Sequence, residues 1–242
     1  MENRAPLIAL SGVTFRYPGG PDVLNGLDFS VYPGERIGLL GPNGSGKTTL
    51  FHVIMGLETP RAGTVSIFGK TLSRPADFAD VYQKVGLLFQ DADDQLFCPT
   101  VLEDVAFGPL NMGMDRDAAE ATARRTLDRL GLSGFESRIT HRLSGGEKRM
   151  VSLATVLAMS PSVLLLDEPT TGLDTRTRAR LTEVLNDLDI AFVLISHEME
   201  FLFEMTDKVH AMENGRILAN GTVRLHQHVH AHPHGSHPHE HR

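Results

Sequence analysis

The eight residues at 41–48, GPNGSGKT, constrain this chain more than any other stretch. They fit the pattern G-x-x-x-x-G-K-[ST] and lie between two apolar segments. Residues 36–40 read as a strand, and residues 48–55 are apolar at helical spacing. Glycines in such a strand-to-helix turn let consecutive backbone N–H groups point into one concavity, which suits a phosphate. The helix opened by the loop adds the positive end of its dipole. Gly41, Pro42, Asn43, Gly44, Ser45, Gly46, Lys47, Thr48 and Thr49 are therefore candidate polyphosphate ligands. In this pattern Lys47 would reach the β- and γ-phosphates, and Thr48 would place its hydroxyl on Mg2+.

A second element supports the first. Residues 163–166 are apolar and end in Asp167 and Glu168. An aspartate at a strand tip can hold Mg2+ through water or through Thr48. Glu168, one residue on, points elsewhere and can act as general base on an attacking water. Two acids before Pro169 could also merely begin a solvated turn, but that reading weakens once a phosphate loop precedes them in an α/β chain.

The rest of the chain supplies the frame. Residues 8–10, 13–17 and 27–31 read as strands separated by turn signals at 18–20 and 33–34, and 65–68 and 85–89 as further strands. Residues 115–132 form an amphipathic helix with Ala119, Ala123, Leu127 and Leu130 on one face, and 147–159 a second helix. Strand-like runs at 163–166 and 191–195 flank a helix at 176–188, the alternation of a parallel sheet. The expectation is one unit over 1–225. Its α/β core occupies about 1–90 and 160–225, with a helical insert at 91–159 and no internal repeat. A low-complexity tail, HQHVHAHPHGSHPHEHR, fills 226–242.

Composition excludes several classes. The net charge is −7, and Glu240 and Arg242 cancel within the tail, so the body is mildly acidic. No basic block of the kind that grips DNA or RNA is present, and no nucleic-acid partner is expected. The single cysteine, Cys98, cannot make an internal disulfide and suits a reducing cytoplasm. The N-terminal residues carry no secretory pattern, and the most apolar runs fall far short of the roughly 20 residues of a membrane helix. Any membrane role must come through a partner.

Residues 143–147, LSGGE, are the third element. Together with the phosphate loop and the acidic strand end, they make the chain resemble the ATP-binding-cassette (ABC) ATPases over about residues 7–222. The resemblance implies an α/β fold. Its parts are a RecA-like P-loop nucleotide-binding core, an N-terminal antiparallel β-subdomain and an inserted α-helical subdomain. It implies ATP and Mg2+ as ligands, with Thr48, Gln90 and Asp167 around the metal. Leu143, Ser144, Gly145, Gly146 and Glu147 match the signature, whose serine and glycines bind the γ-phosphate of ATP held by the opposite subunit. A serine and two glycines at a helix start suit an anion, although a serine there also serves as a plain cap. Tyr17 matches the aromatic that stacks on adenine, and Asp174 the loop that crosses the dimer interface. Glu168, His197 and Gln90 match the catalytic positions: base, γ-phosphate sensor and the glutamine at a strand end. Two departures stand out: Glu147 where Gln is commoner, and Gly172 and Thr175 where Ala and Pro are common. Neither is expected to touch the chemistry.

Residues 91–97 and 100–108 are similar to the ATPases of energy-coupling-factor importers, especially the cobalt/nickel type. That resemblance implies a homodimer, or a heterodimer with a paralogous ATPase, peripheral on the cytoplasmic face of the membrane. It also implies integral membrane subunits contacted through 90–108. Imidazole suits Ni2+, Co2+, Zn2+ and Cu2+. The tail residues His226, His228, His230, His232, His234, His237, His239 and His241 are therefore candidate ligands for nickel, cobalt or zinc, among which imidazole alone does not select; the alternative is a solvated tail without a metal role.

Overall fold

The computed structural model describes residues 5–224. The eight tail histidines lie outside them. An antiparallel four-stranded sheet is built from β1 (Ile8–Arg16), β2 (Asp22–Val31), β4 (Ala62–Ile67) and β5 (Lys70–Leu72), in the order β2-β1-β4-β5. The runs at 8–10 and 13–17, expected as two strands, are one. Its pairing with β2 shifts register between Leu10 and Val13, where Gly12 has φ +59°. One extra residue resets the two-residue alternation, so Ile8, Leu10, Val13 and Phe15 are all buried.

The second sheet has six strands: β3 (Arg36–Leu40), β6 (Val85–Leu88), β7 (Val163–Asp167), β8 (Ala191–Ile195), β9 (Lys208–Glu213) and β10 (Arg216–Arg224). Their order is β10-β9-β3-β8-β7-β6, with β9, β3, β8, β7 and β6 parallel and β10 antiparallel to β9. The central strands are buried on both faces, as parallel sheets require. Val163, Leu165, Val193 and Ile195 join the core shared with β1, β2 and α1 (Lys47–Ile54). Leu164, Leu166, Phe192 and Leu194 join a core filled by the helices. On that second face Gly38 and Gly86 admit close neighbours. A Cβ on Gly38 would stand 2.9 Å from Leu202, and one on Gly86 would stand 2.2 Å from Val156.

Between β6 and β7 lie α3 (Val101–Asn111), α4 (Arg116–Arg129) and α5 (Gly145–Leu157). In α4, Ala119, Ala123 and Leu127 are buried as expected, and Asp115 caps it by accepting from the Ala118 N–H. Helix α3 was not anticipated, because Pro109 interrupts the helical reading of its sequence, yet Pro109 lies inside it. Thr100 and Glu103 close a capping box at its start. Also unanticipated were the short α2 (Ala79–Lys84), α7 (Met199–Met205), β9 and β10. Helix α6 (Thr175–Asn186) bridges β7 and β8 as expected. The carboxyl ends of β3, β6, β7 and β8 therefore meet at one sheet edge, where open α/β sheets bind ligands.

Candidate nucleotide site

The phosphate loop leaves β3 and enters α1 under close confinement. A Cβ on Gly41 would lie 2.2 Å from the Met212 carbonyl oxygen. Gly46, which precedes α1, has φ +103°, and a Cβ there would lie 2.8 Å from the Val23 carbonyl oxygen. Only glycine fits either position. The turn between β9 and β10 braces the loop from behind, with the Gly215 N–H donating to the Ser45 carbonyl at 3.1 Å. Lys47 Nζ donates to the carbonyls of Gly41 and Pro42 at 2.8 and 3.1 Å. Burial pushes its pKa down, opposed by the charges of Glu168 and Asp167.

Across the cleft, Thr48 Oγ1 donates to Asp167 Oδ2 at 2.8 Å. Asp167 is the last residue of β7 and is buried, and burial raises its pKa against the Thr48 hydrogen bond. Glu168 has φ +48°, a left-handed conformation that costs a non-glycine residue on the order of 1 kcal/mol or more. Its N–H donates to the Ile195 carbonyl at 3.0 Å, so β8 holds the kink. The kink aims the side chain away from Asp167 and towards His197, whose N–H donates to Glu168 Oε2 at 3.3 Å. Oε1 is buried and accepts no hydrogen bond of ordinary geometry, although His197 Nε2 lies 3.3 Å away. Burial raises the Glu168 pKa, which strengthens it as a base.

A cleft of about 420 Å3 joins these parts, with Tyr17, Lys47, Thr49, Gln90, Glu168 and His197 in its wall. Tyr17 shares a 3.2 Å hydrogen bond with Thr49 Oγ1. The cleft's chemistry fits ATP with Mg2+. The buried Ser45 Oγ has no partner among the described residues, and Gly41 and Gly46 form a cradle with no room for a side chain. The Thr48–Asp167 pair supplies the oxygen donors a hard cation takes. Gln90 lies two residues beyond the end of β6 rather than at the strand end. It also lines a second cleft of about 650 Å3, where Thr48 and Asp167 share the wall with Leu143 and Gly145.

A model of the ABC transporter family matches residues 24–171. The chain belongs to that family. It is an ABC ATPase, and such ATPases couple ATP hydrolysis to transport. An energy-coupling factor transporter ATP-binding protein from Methanothermobacter thermautotrophicus is 42% identical over 220 residues, covering 89% of this chain and 71% of the relative. A protein from Nitratidesulfovibrio vulgaris, provisionally named as an ABC transporter ATP-binding protein, is 49% identical over 98% of this chain and 86% of its own. Among solved structures, cbiO1 of Clostridium perfringens, described as part of the ABC transporter complex cbiONQ, superposes with a TM-score of 0.78. It is 32% identical, covering 88% of this chain and 87% of that one.

The signature turn of this ABC chain lies outside the 420 Å3 cleft, and only Leu143 and Gly145 of it reach the second one. Ser144 caps α5 in a capping box with Glu147. The Ser144 N–H and Oγ–H both donate to Glu147 Oε2 at 2.8 Å, and Arg138 Nη1 donates to Glu147 Oε1 at 2.8 Å. Glu147, expected to be remote from the chemistry, thus rests on the signature hydroxyl. Asp174 caps α6, accepting from the Thr177 N–H and hydroxyl at 2.9 Å each. None of Ser144, Gly146, Glu147 and Asp174 lines either cleft. Sequence reasoning passed over Arg149 and gave Gln95 no role. Just beyond the end of β6, Gln95 accepts from the Phe89 N–H, and Arg149 donates to the carbonyls of Phe89 and Gln90. An arginine followed by a long apolar helical run was the available signal for Arg149.

Proposed function

We propose that the chain is the ATP-hydrolysing subunit of an energy-coupling-factor-type importer for nickel or cobalt. It works as a head-to-tail homodimer, or beside a paralogous ATPase, on the cytoplasmic face of the membrane. One observation carries the dimer: the chain bears both a nucleotide cleft and a signature turn, and the signature serine does not line that cleft. Two copies related by a two-fold axis complete both sites. The domain division at about 1–90, 91–159 and 160–225 belongs to this reading, as does the role of each site residue.

Lys47, Ser45 and the loop N–H groups hold the phosphates, and Tyr17 stacks on the base. Thr48, Asp167 and Gln90 would hold Mg2+, which when bound offsets phosphate charge. Glu168 takes the proton of the attacking water, and its buried carboxylate has the raised pKa that suits this. His197 sits against it and meets the terminal phosphate. In trans, Ser144, Gly145 and Gly146 bind the same phosphate, so closure depends on ATP and reverses once it is cleaved.

Among the described residues no helix is long and apolar enough to cross a membrane. An apolar groove of about 610 Å3, walled by Leu57, Tyr82, Phe97 and Phe107, is the surface for the membrane subunit. Phe97 and Phe107 stack edge to face at 4.8 Å and are 65% and 45% exposed. The groove includes part of the 90–108 segment. The metal assignment rests on that segment and on the tail histidines.

The test is Glu168→Gln. Turnover should fall about 10²- to 10⁴-fold, the range of lost general-base catalysis, with ATP still bound and the dimer trapped. Near-normal turnover would refute the assignment of the base. Deleting 226–242 should spare turnover and lower uptake when metal is scarce. Unchanged uptake in scarce metal would remove the tail from the scheme.

A further inference from the structure

Among the described residues, strand β6 lies at the sheet edge and pairs only with β7. That pairing ends at Leu88 opposite Leu166. Phe89 and Gln90 therefore leave the ladder just before Gln90 enters the cleft, and their carbonyls need donors from elsewhere. The donor for both comes from the signature helix. Arg149, one turn into α5, donates from Nη1 to the Phe89 carbonyl and from Nη2 to the Gln90 carbonyl. Gln95 completes the strap. Its Oε1 accepts from the Phe89 N–H at 3.3 Å, while its Nε2 donates to the Ser152 carbonyl and Thr155 Oγ1 of α5 at 2.9 and 2.8 Å.

Arg149 is only 5% exposed. A buried guanidinium is costly to desolvate unless it is paired and hydrogen-bonded. Burial depresses its pKa, and the charges of Asp91, Asp167 and Glu168 oppose that shift. A guanidinium keeps its proton in a protein, so Arg149 is a charged bolt between α5 and the backbone of Gln90, near the carboxylates of Asp167 and Glu168. The helix whose first turn is the signature is thus bonded to the main chain of Gln90.

We propose that Arg149 is a positioning residue for Gln90: its guanidinium ties the Phe89–Gln90 backbone to α5, so that the placement of Gln90 in the nucleotide cleft follows the position of the signature helix. This rests on Gln90 serving the reaction, as proposed above.

The experiment is a double-mutant cycle on the full chain with Mg-ATP, using Arg149→Met, Gln90→Ala and the double variant. Arg149→Met should lower kcat at least about tenfold, the kinetic equivalent of one charge-assisted hydrogen bond, and leave KM for ATP nearly unchanged. In the Gln90→Ala background it should cost less than about twofold: the carbonyls that Arg149 binds remain, but the side chain they place is gone. Arg149→Lys keeps a cation but not the fork, and should restore part of the loss. Hydrogen exchange on the nucleotide-free chain gives a readout besides activity. Amides at 89–95 should lose protection in Arg149→Met while those of β6 and β7 keep it. If Arg149→Met fails to fold, the cycle is run with Arg149→Lys. Equal costs in both backgrounds, or uniform loss of protection across the sheet, would overturn the proposal. Unchanged turnover in Gln90→Ala alone would instead overturn the role of Gln90.

Discussion

The helix beginning at Lys47 and the helix beginning at Gly145 are both entered through a serine and glycines, yet their glycines are held in different ways. At the phosphate loop the chain itself forbids a side chain. Main-chain oxygens of Met212 and Val23 occupy the space that Cβ atoms on Gly41 and Gly46 would need. At the signature turn nothing in the chain forbids one. A Cβ on Gly145 would meet no atom within 4 Å, one on Gly146 would make only ordinary contacts beginning at 3.6 Å, and neither glycine has positive φ. Glycine in a helix costs up to about 1 kcal/mol relative to alanine. The first loop repays that cost inside the chain. The second does not, and in the proposed dimer the reason for its bareness is the phosphate that docks against it.

That comparison makes its largest prediction in stability. Gly41→Ala should destabilise the isolated chain by about 3 kcal/mol or more, because the obstacle is backbone and cannot swing aside. Gly145→Ala should leave it unchanged or stabilise it by up to about 1 kcal/mol. Thermal unfolding of both nucleotide-free variants decides, and equal destabilisation would erase the distinction. Turnover comes next. Gly145→Ala should lower it about a hundredfold, as loss of an anion-binding contact does, while a single chain binds ATP as before. If single-chain ATP binding falls in step with turnover, the signature turn acts within its own chain.

How far the sequence could be read follows the same division. The phosphate loop, the Asp167 strand end and the capped signature helix were legible because each depends on residues adjacent in the chain. The parallel strands were legible because a strand buried on both faces is continuously apolar. The bulge at Gly12 was not, since it restores a burial pattern that reads as two strands. Helix α3 was hidden by Pro109. Arg149 was missed because an arginine in a helix is ordinarily a surface residue. Only the end of the ladder at Leu88 shows that backbone carbonyls await it. The residues proposed to face a partner copy are the ones for which a single chain offers no packing reason.

A smaller effect separates the carboxylates of the two regions. Burial raises the Glu168 pKa above its ordinary value of 4.5. Below that ordinary value the group is neutral in both folded and unfolded chains, and no cost arises. As pH rises through the raised folded value, a buried carboxyl must ionise and stability is lost. Glutamine never ionises. Glu168→Gln should therefore melt higher than the parent near neutral pH, with the gap closing towards about pH 4. A constant gap would mean that burial is not what sets the titration.

Glu147 should show the opposite sign and the smallest size. Its pKa is lowered by the Ser144 N–H and hydroxyl, and by Arg138. Its contribution is thus fully present above 4.5 and fades as pH falls through the lowered folded value. The pair with Arg138 is substantially exposed, so solvent screening keeps the effect below about 1 kcal/mol. Glu147→Gln should lower the melting temperature slightly near neutral pH and not at all in acid. The same carboxylate, however, rests on the hydroxyl proposed to meet the partner's phosphate. Removing its charge should therefore tighten ATP-driven dimer formation even as it loosens the helix start. Weaker dimer formation, as Gly145→Ala should also show, would mean that Glu147 belongs to the anion site rather than merely bracing it.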